Sequence, residues 1–135
     1  MAGRAVALDT NLVVSHLRNP GRHDANLVRH SVRLSATALA ELFGGAAKSA
    51  QPERNKAAVE AFSATCEIAI SDEHTARIYG EIWASLAMDG NMIPSNDIWI
   101  AASAIQYDLP LITNDAHFSR IPDLVTEDWE AAELS

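Results

Sequence analysis

A chain of 135 residues with 48% hydrophobic content is long enough for one ordinary domain with a real core. Its 18 acids against 10 bases give a formal charge of −8, which excludes broad coating of nucleic acid by a basic field. That charge still suits a nucleic-acid enzyme whose clustered carboxylates bind metal, or a chain that takes a basic partner. The one cysteine, Cys66, excludes an internal disulfide and reads as a buried apolar thiol. No long apolar run marks a signal peptide or a membrane span, so a soluble, cytoplasmic protein without membrane contact is expected.

The first strand, Val6-Ala7-Leu8, runs into Asp9-Thr10-Asn11. Thr10 or Asn11 caps a short helix reaching about Arg18, and Asn19-Pro20-Gly21 stops it. A second short helix spans His23 to about His30. Arg18, Arg22, Arg29 and Arg33 make this early region the most basic part of the chain. Arg33-Leu34-Ser35 is a brief strand, followed by a helix from Ala36 to about Ala50 with Leu39, Leu42, Phe43, Ala46 and Ala47 on one face. Gly44-Gly45 costs that helix about 1 kcal/mol per glycine, which a close helix contact or a bend would explain.

Pro52 opens the next helix, which runs to about Ala64. Ile68-Ala69-Ile70 is a short strand. Ser71 or Asp72 then caps a long helix to Met88 that carries Ala76, Tyr79, Ile82, Trp83 and Leu86. Ser71 with His74 is not a capping box. Asp89-Gly90-Asn91 ends that helix, and Ser95-Asn96-Asp97 leads into another with Ile98, Ala101, Ala102 and Ile105. Strand Leu109 to Thr113 ends in Asn114-Asp115. Ala116 to Phe118 form one turn, Leu124-Val125-Thr126 is the last strand, and an acidic tail starts at about Glu127. Core packing suits Trp83 and Trp99, and each of the three tryptophans, Trp129 included, can anchor an interface. Strands alternate with helices and the central strands are uniformly apolar. This predicts an α/β fold, a parallel sheet covered on both faces, in a single domain over 1–135.

In such folds ligands sit outside the carboxyl ends of the strands. Asp9 and Asp115 both stand there, although each alone reads equally as a turn or helix cap. Asp97 lies in the first turn of its helix, where the dipole favours an acid. Glu41 falls mid-helix between apolar residues, so it either reaches solvent or meets a cation. Together, Asp9, Glu41, Asp97 and Asp115 suit one or two Mg²⁺ or Mn²⁺ ions, which bind carboxylates and substrate phosphate and support hydrolysis at phosphorus. Asn11, Asn96, Thr113 and Asn114 supply neutral polar support at the same points in the chain. The histidines show neither HExxH nor a cysteine pairing, which argues against zinc. His117, two residues past Asp115, reads as a capping or surface residue. No Gly-rich phosphate loop and no serine nucleophile elbow is present.

At these residues the chain resembles the PIN-domain ribonucleases, specifically the VapC-type toxins of toxin–antitoxin pairs. The resemblance rests on Leu8-Asp9-Thr10-Asn11, Ala40-Glu41-Leu42, the run from Ile93 to Ala102, and Leu111-Ile112-Thr113-Asn114-Asp115-Ala116-His117-Phe118. It implies a three-layer α/β/α fold around a parallel sheet of four or five strands, with the acidic site at Asp9, Glu41, Asp97 and Asp115. It further implies Mg²⁺- or Mn²⁺-dependent endoribonuclease activity on an RNA substrate, a cognate antitoxin, and a homodimer. Cleavage should leave a 3′ hydroxyl on one fragment and a 5′ phosphate on the other, and the early basic region would carry the RNA backbone. Three other readings stay open at this point. They are a different metal-dependent nuclease or phosphohydrolase, a catalytically inactive peptide-binding module, and a flavodoxin- or response-regulator-like domain. The last lacks a lysine at a strand end, since Lys48 and Lys56 are the only lysines.

Overall fold

The computed structural model describes residues 3–130. Among these, five strands form one parallel sheet: β1 (Ala5–Leu8), β2 (Ser31–Ser35), β3 (Glu67–Ala69), β4 (Leu111–Ile112) and β5 (Thr126–Glu127). Their spatial order is β3-β2-β1-β4-β5. Six helices connect them: α1 (Thr10–Arg18), α2 (Asp24–Arg29), α3 (Ala36–Ala47), α4 (Pro52–Ser63), α5 (Glu73–Asp89) and α6 (Ser95–Gln106). A 3-10 turn, Ala116–Arg120, follows β4. The architecture is the expected three-layer α/β/α one.

β1 occupies the centre because it can be buried on both faces: Val6, Ala7 and Leu8 are all core residues. Ala7 pairs with Arg33 of β2 on one side and with Leu111 of β4 on the other. The chain first winds outward from β1 through β2 to β3, then returns to start β4 against the opposite edge of β1. The direction of winding reverses between β1 and β4, and such a reversal opens a crevice at the strands' carboxyl ends. Leu34, Ile98, Leu111, Ile112 and Phe118 close the core beneath it.

Local chemistry sets the element ends. The Ser35 hydroxyl accepts from the Ala38 N–H at 3.0 Å and starts α3. Asp72 and Thr75 form a reciprocal capping box that starts α5, with threonine doing what the usual glutamate does. Gly90, at φ 67°, ends α5 in the left-handed region that glycine tolerates. β4 is shorter than the apolar run suggests. Leu109 N–H donates back to Ala104 O and so closes α6, helped by Asp108 at φ 55°, while Pro110 has no N–H for the ladder.

Three expectations fail for identifiable reasons. Gly44 and Gly45 have no heavy atom within 4 Å of an added Cβ, so no close helix contact explains them. Trp83 is 50% exposed, whereas Trp129 is 5% exposed and belongs to the core. Trp129 lies against His23 and His30, with ring centroids 6.2 and 5.2 Å away. The segment expected to be an acidic tail from Glu127 therefore begins inside the fold, with Glu127 in β5. Its final part, 131–135, lies outside the described residues.

Candidate functional site

Asp9 follows β1 at the crevice and is 3% exposed. It occupies the cap position of α1, but its side chain makes no capping hydrogen bond. Instead Thr113, just past β4, donates its hydroxyl to Asp9 Oδ2 at 2.8 Å. The same Thr113 oxygen accepts the Asp115 N–H at 3.0 Å, which fixes the hydroxyl's direction. Burial pushes the Asp9 carboxyl up to about 6. The Thr113 hydrogen bond and the Thr10 backbone N–H pull it down, while the charges of Asp97 and Asp115 add to the rise.

Glu41 projects from α3 and accepts a hydrogen bond from the Thr10 hydroxyl at 2.7 Å. Its mid-helix position is thus explained by a polar partner on α1 at the rim. Asp97 is raised chiefly by burial; His117 opposes that rise, and Asp115 and Glu41 reinforce it. Asp97 feels Glu41, and Asp9 feels Asp97 and Asp115, so all four acids share one electrostatic neighbourhood. The fold brings together the four carboxylates that the sequence singled out.

His117, which the sequence presents as a capping or surface residue, stands among these acids. The Asp115 carboxylate accepts the His117 N–H at 2.9 Å and caps the 3-10 turn. The ring Nδ1 lies 3.2 Å from Asp97 Oδ2 and 3.5 Å from Asp115 Oδ1. Asp97, Asp115 and His117 each offer a ligand atom, all within 4.8 Å of one another. Together with Asp9, whose proton affinity is raised chiefly by burial and further by the charges of Asp97 and Asp115, this oxygen-rich donor set fits a divalent cation.

The other polar residues divide. Thr113 is an anchor, as above. Asn11 and Asn96 are exposed, and Asn114 donates its amide to Glu130 Oε2 at 2.8 Å, away from the acids. The early basic region is not gathered at the rim. Arg18 ends α1, about 12 Å along the helix axis from Thr10. Arg22 lies 3.9 Å from Glu130, and Arg33 bonds to Glu67 at 2.7 Å beneath the face of Tyr107. A cleft of about 480 Å³ lined by His16, Leu27, Phe62 and Cys66 sits at the opposite ends of β2 and β3 and includes none of the four acids.

A sequence profile of the PIN domain matches residues 6–124. The chain belongs to the PIN-domain family. Among similar proteins is Ribonuclease VapC2 of Rickettsia felis, 33% identical over 129 residues, covering 91% of this chain and 96% of that protein. Another is the tRNA(fMet)-specific endonuclease VapC of Salmonella typhimurium, 37% identical over 126 residues, covering 90% and 96%. Among solved structures, VapBC2 from Rickettsia felis bound to a DNA fragment from its promoter superposes with a TM-score of 0.87 at 32% identity, covering 93% of this chain and 98% of that one. DNA-bound VapBC from Salmonella typhimurium gives 0.83 at 36%, covering 96% and 99%. Within the PIN-domain family the chain is of the VapC kind, the metal-dependent ribonuclease toxins of toxin–antitoxin pairs.

Proposed function

We propose that this PIN domain cuts RNA phosphodiesters at the β1/β4 crevice, with Asp9, Glu41, Asp97 and Asp115 holding Mg²⁺ or Mn²⁺ against the scissile phosphate. The observation that carries this reading is Asp9. A carboxylate 3% exposed, braced by Thr113 and crowded by Asp97 and Asp115, is poorly explained as a helix cap. Its environment makes sense if a cation offsets the charge.

A divalent cation bound there supplies positive charge to activate water and to stabilise the departing 3′ oxygen. The chain's residues prepare the site for it. Thr113 fixes the Asp9 carboxylate and ties it to the Asp115 backbone. Thr10 aims Glu41 across from α3. Burial of Asp9 keeps water from screening the acids, so their joint preference for a cation is strong. Asn11 and Asn96, exposed at the rim, are in place to hydrogen-bond RNA or ordered water.

The physiological partners follow from the relatives. The solved VapBC complexes support a cognate antitoxin as regulator of this chain. The tRNA(fMet)-specific relatives favour a transfer RNA among the candidate RNA substrates. A homodimer acting in the cytoplasm completes the proposal. Among the described residues no helix is long and apolar enough to cross a membrane.

The test is end-sequencing of total RNA after incubation with the purified chain, with Mg²⁺, with Mn²⁺ and with chelator. Cuts bearing 5′ phosphates should require the ion and vanish in Asp9→Asn. Equal cutting in chelator, or by Asp9→Asn, overturns the reading.

A further inference from the structure

We infer that His117 is a nitrogen ligand of the divalent cation and biases this centre toward Mn²⁺ over Mg²⁺. The inference rests on the metal-site reading above and goes beyond it by adding a donor and a metal preference.

His117 sits in the 3-10 turn directly after Asp115. Its backbone N–H is held by the Asp115 carboxylate at 2.9 Å, and the next residue, Phe118, is 1% exposed. The turn is therefore pinned on both sides, and the imidazole is delivered toward Asp97, which belongs to a different element, α6.

Neighbouring ligands around an octahedral ion at ~2.1 Å lie roughly 3 Å from one another. His117 Nδ1 stands 3.2 Å from Asp97 Oδ2 and 3.5 Å from Asp115 Oδ1. Both distances from the imidazole are close to the edge length of one coordination polyhedron, and the three donor atoms, from two elements, lie within 4.8 Å of one another.

Mg²⁺ takes oxygen and keeps its waters, whereas imidazole suits softer first-row ions. Replacing one oxygen by the His117 nitrogen costs Mg²⁺ more than Mn²⁺. The same distances also fit a plain histidine–carboxylate hydrogen bond, so the test must separate ligation from bracing.

His117→Asn does that, since its amide can still donate to Asp97 and is a poor metal ligand. The full-length chain is titrated with MnCl₂ alone and with MgCl₂ alone, and the Mn²⁺-loaded samples are examined by electron spin-echo envelope modulation. Wild type should show nitrogen coupling to Mn²⁺, and His117→Asn should not. The Mn²⁺-over-Mg²⁺ affinity ratio should fall in that variant, because the nitrogen donor that Mn²⁺ tolerates better is gone, with an unchanged circular dichroism spectrum. Bound Mn²⁺ without nitrogen coupling in wild type, or an unchanged ratio in His117→Asn, overturns the His117 inference while leaving the carboxylate site standing. Mn²⁺ binding as tight in Asp97→Asn as in wild type overturns the metal-site reading and this inference with it.

Discussion

Thr113 donates its hydroxyl to Asp9 Oδ2 across 2.8 Å and 104 positions of sequence. That bond joins the ends of β1 and β4, and it opposes the burial that raises Asp9. In Thr113→Val the carboxyl should therefore rise further above about 6 in the ion-free protein, a shift readable by NMR titration of Asp9. Loss of a residue that orients a metal-binding carboxylate typically costs 10–100-fold, and RNA cleavage should fall in about that range. Thr113→Ser should recover most of it. Full activity in the valine variant would remove Thr113 from the positioning of Asp9.

Asp9 also predicts a stability that depends on pH. Its folded-state pKa is raised from the ordinary 3.8 to about 6, so the folded protein favours the protonated form. Below the unfolded value the group is neutral in both states and has no effect. Stability is lost as pH climbs from about 4 to 6, up to roughly 3 kcal/mol, and stays lost above that. Asp9→Asn imitates the neutral form and can still accept from Thr113. In chelator at pH 7.5 this variant should melt several degrees above wild type, and the gap should close near pH 4. A variant that melts lower at both values would show that the carboxylate is not under strain.

Glycine in an exposed helix interior costs about 1 kcal/mol relative to alanine. Gly44 and Gly45 in α3 are exposed, with open space around an added Cβ. Gly44→Ala and Gly45→Ala should each raise the stability by roughly that amount in urea denaturation. Destabilisation by either would mean that α3 needs its glycines for a bend.

Trp129 is 5% exposed against His23 and His30. Truncating a buried tryptophan typically costs 3–5 kcal/mol. Trp129→Ala should lower the urea midpoint accordingly, while the exposed Trp83→Ala should shift it little. The opposite ranking would contradict the placement of the C-terminal segment in the core.

These cases show what could be read in advance. Asp9, Asp97 and Asp115 were legible because each ends an apolar strand or opens a helix, and strand-end geometry gathers such residues. Glu41 was legible because a mid-helix carboxylate beside Leu42 needs a partner, and that partner is Thr10. Trp129 was not, because its neighbours in sequence are Asp128 and Glu130, and its ring contacts are with His23 and His30 at the two ends of α2. His117 reads as a capping or surface residue because the partner that draws it into the site, Asp97, lies 20 residues away on another helix. The shortened β4 depends on Leu109 closing α6, a hydrogen bond that apolar patterning does not encode.

The central place of β1 affects how the protein is made. Its first-synthesised strand gains β4 as a neighbour only after residue 112 has been added, and β5 only after 127. Contacts across such separations form late, because their loop entropy must be overcome first. A nascent chain on the ribosome has Asp9 and Glu41 but no Asp115 to complete the set. The rim proposed above as the metal site is thus completed only when the last of its four carboxylates has been made, near the end of translation.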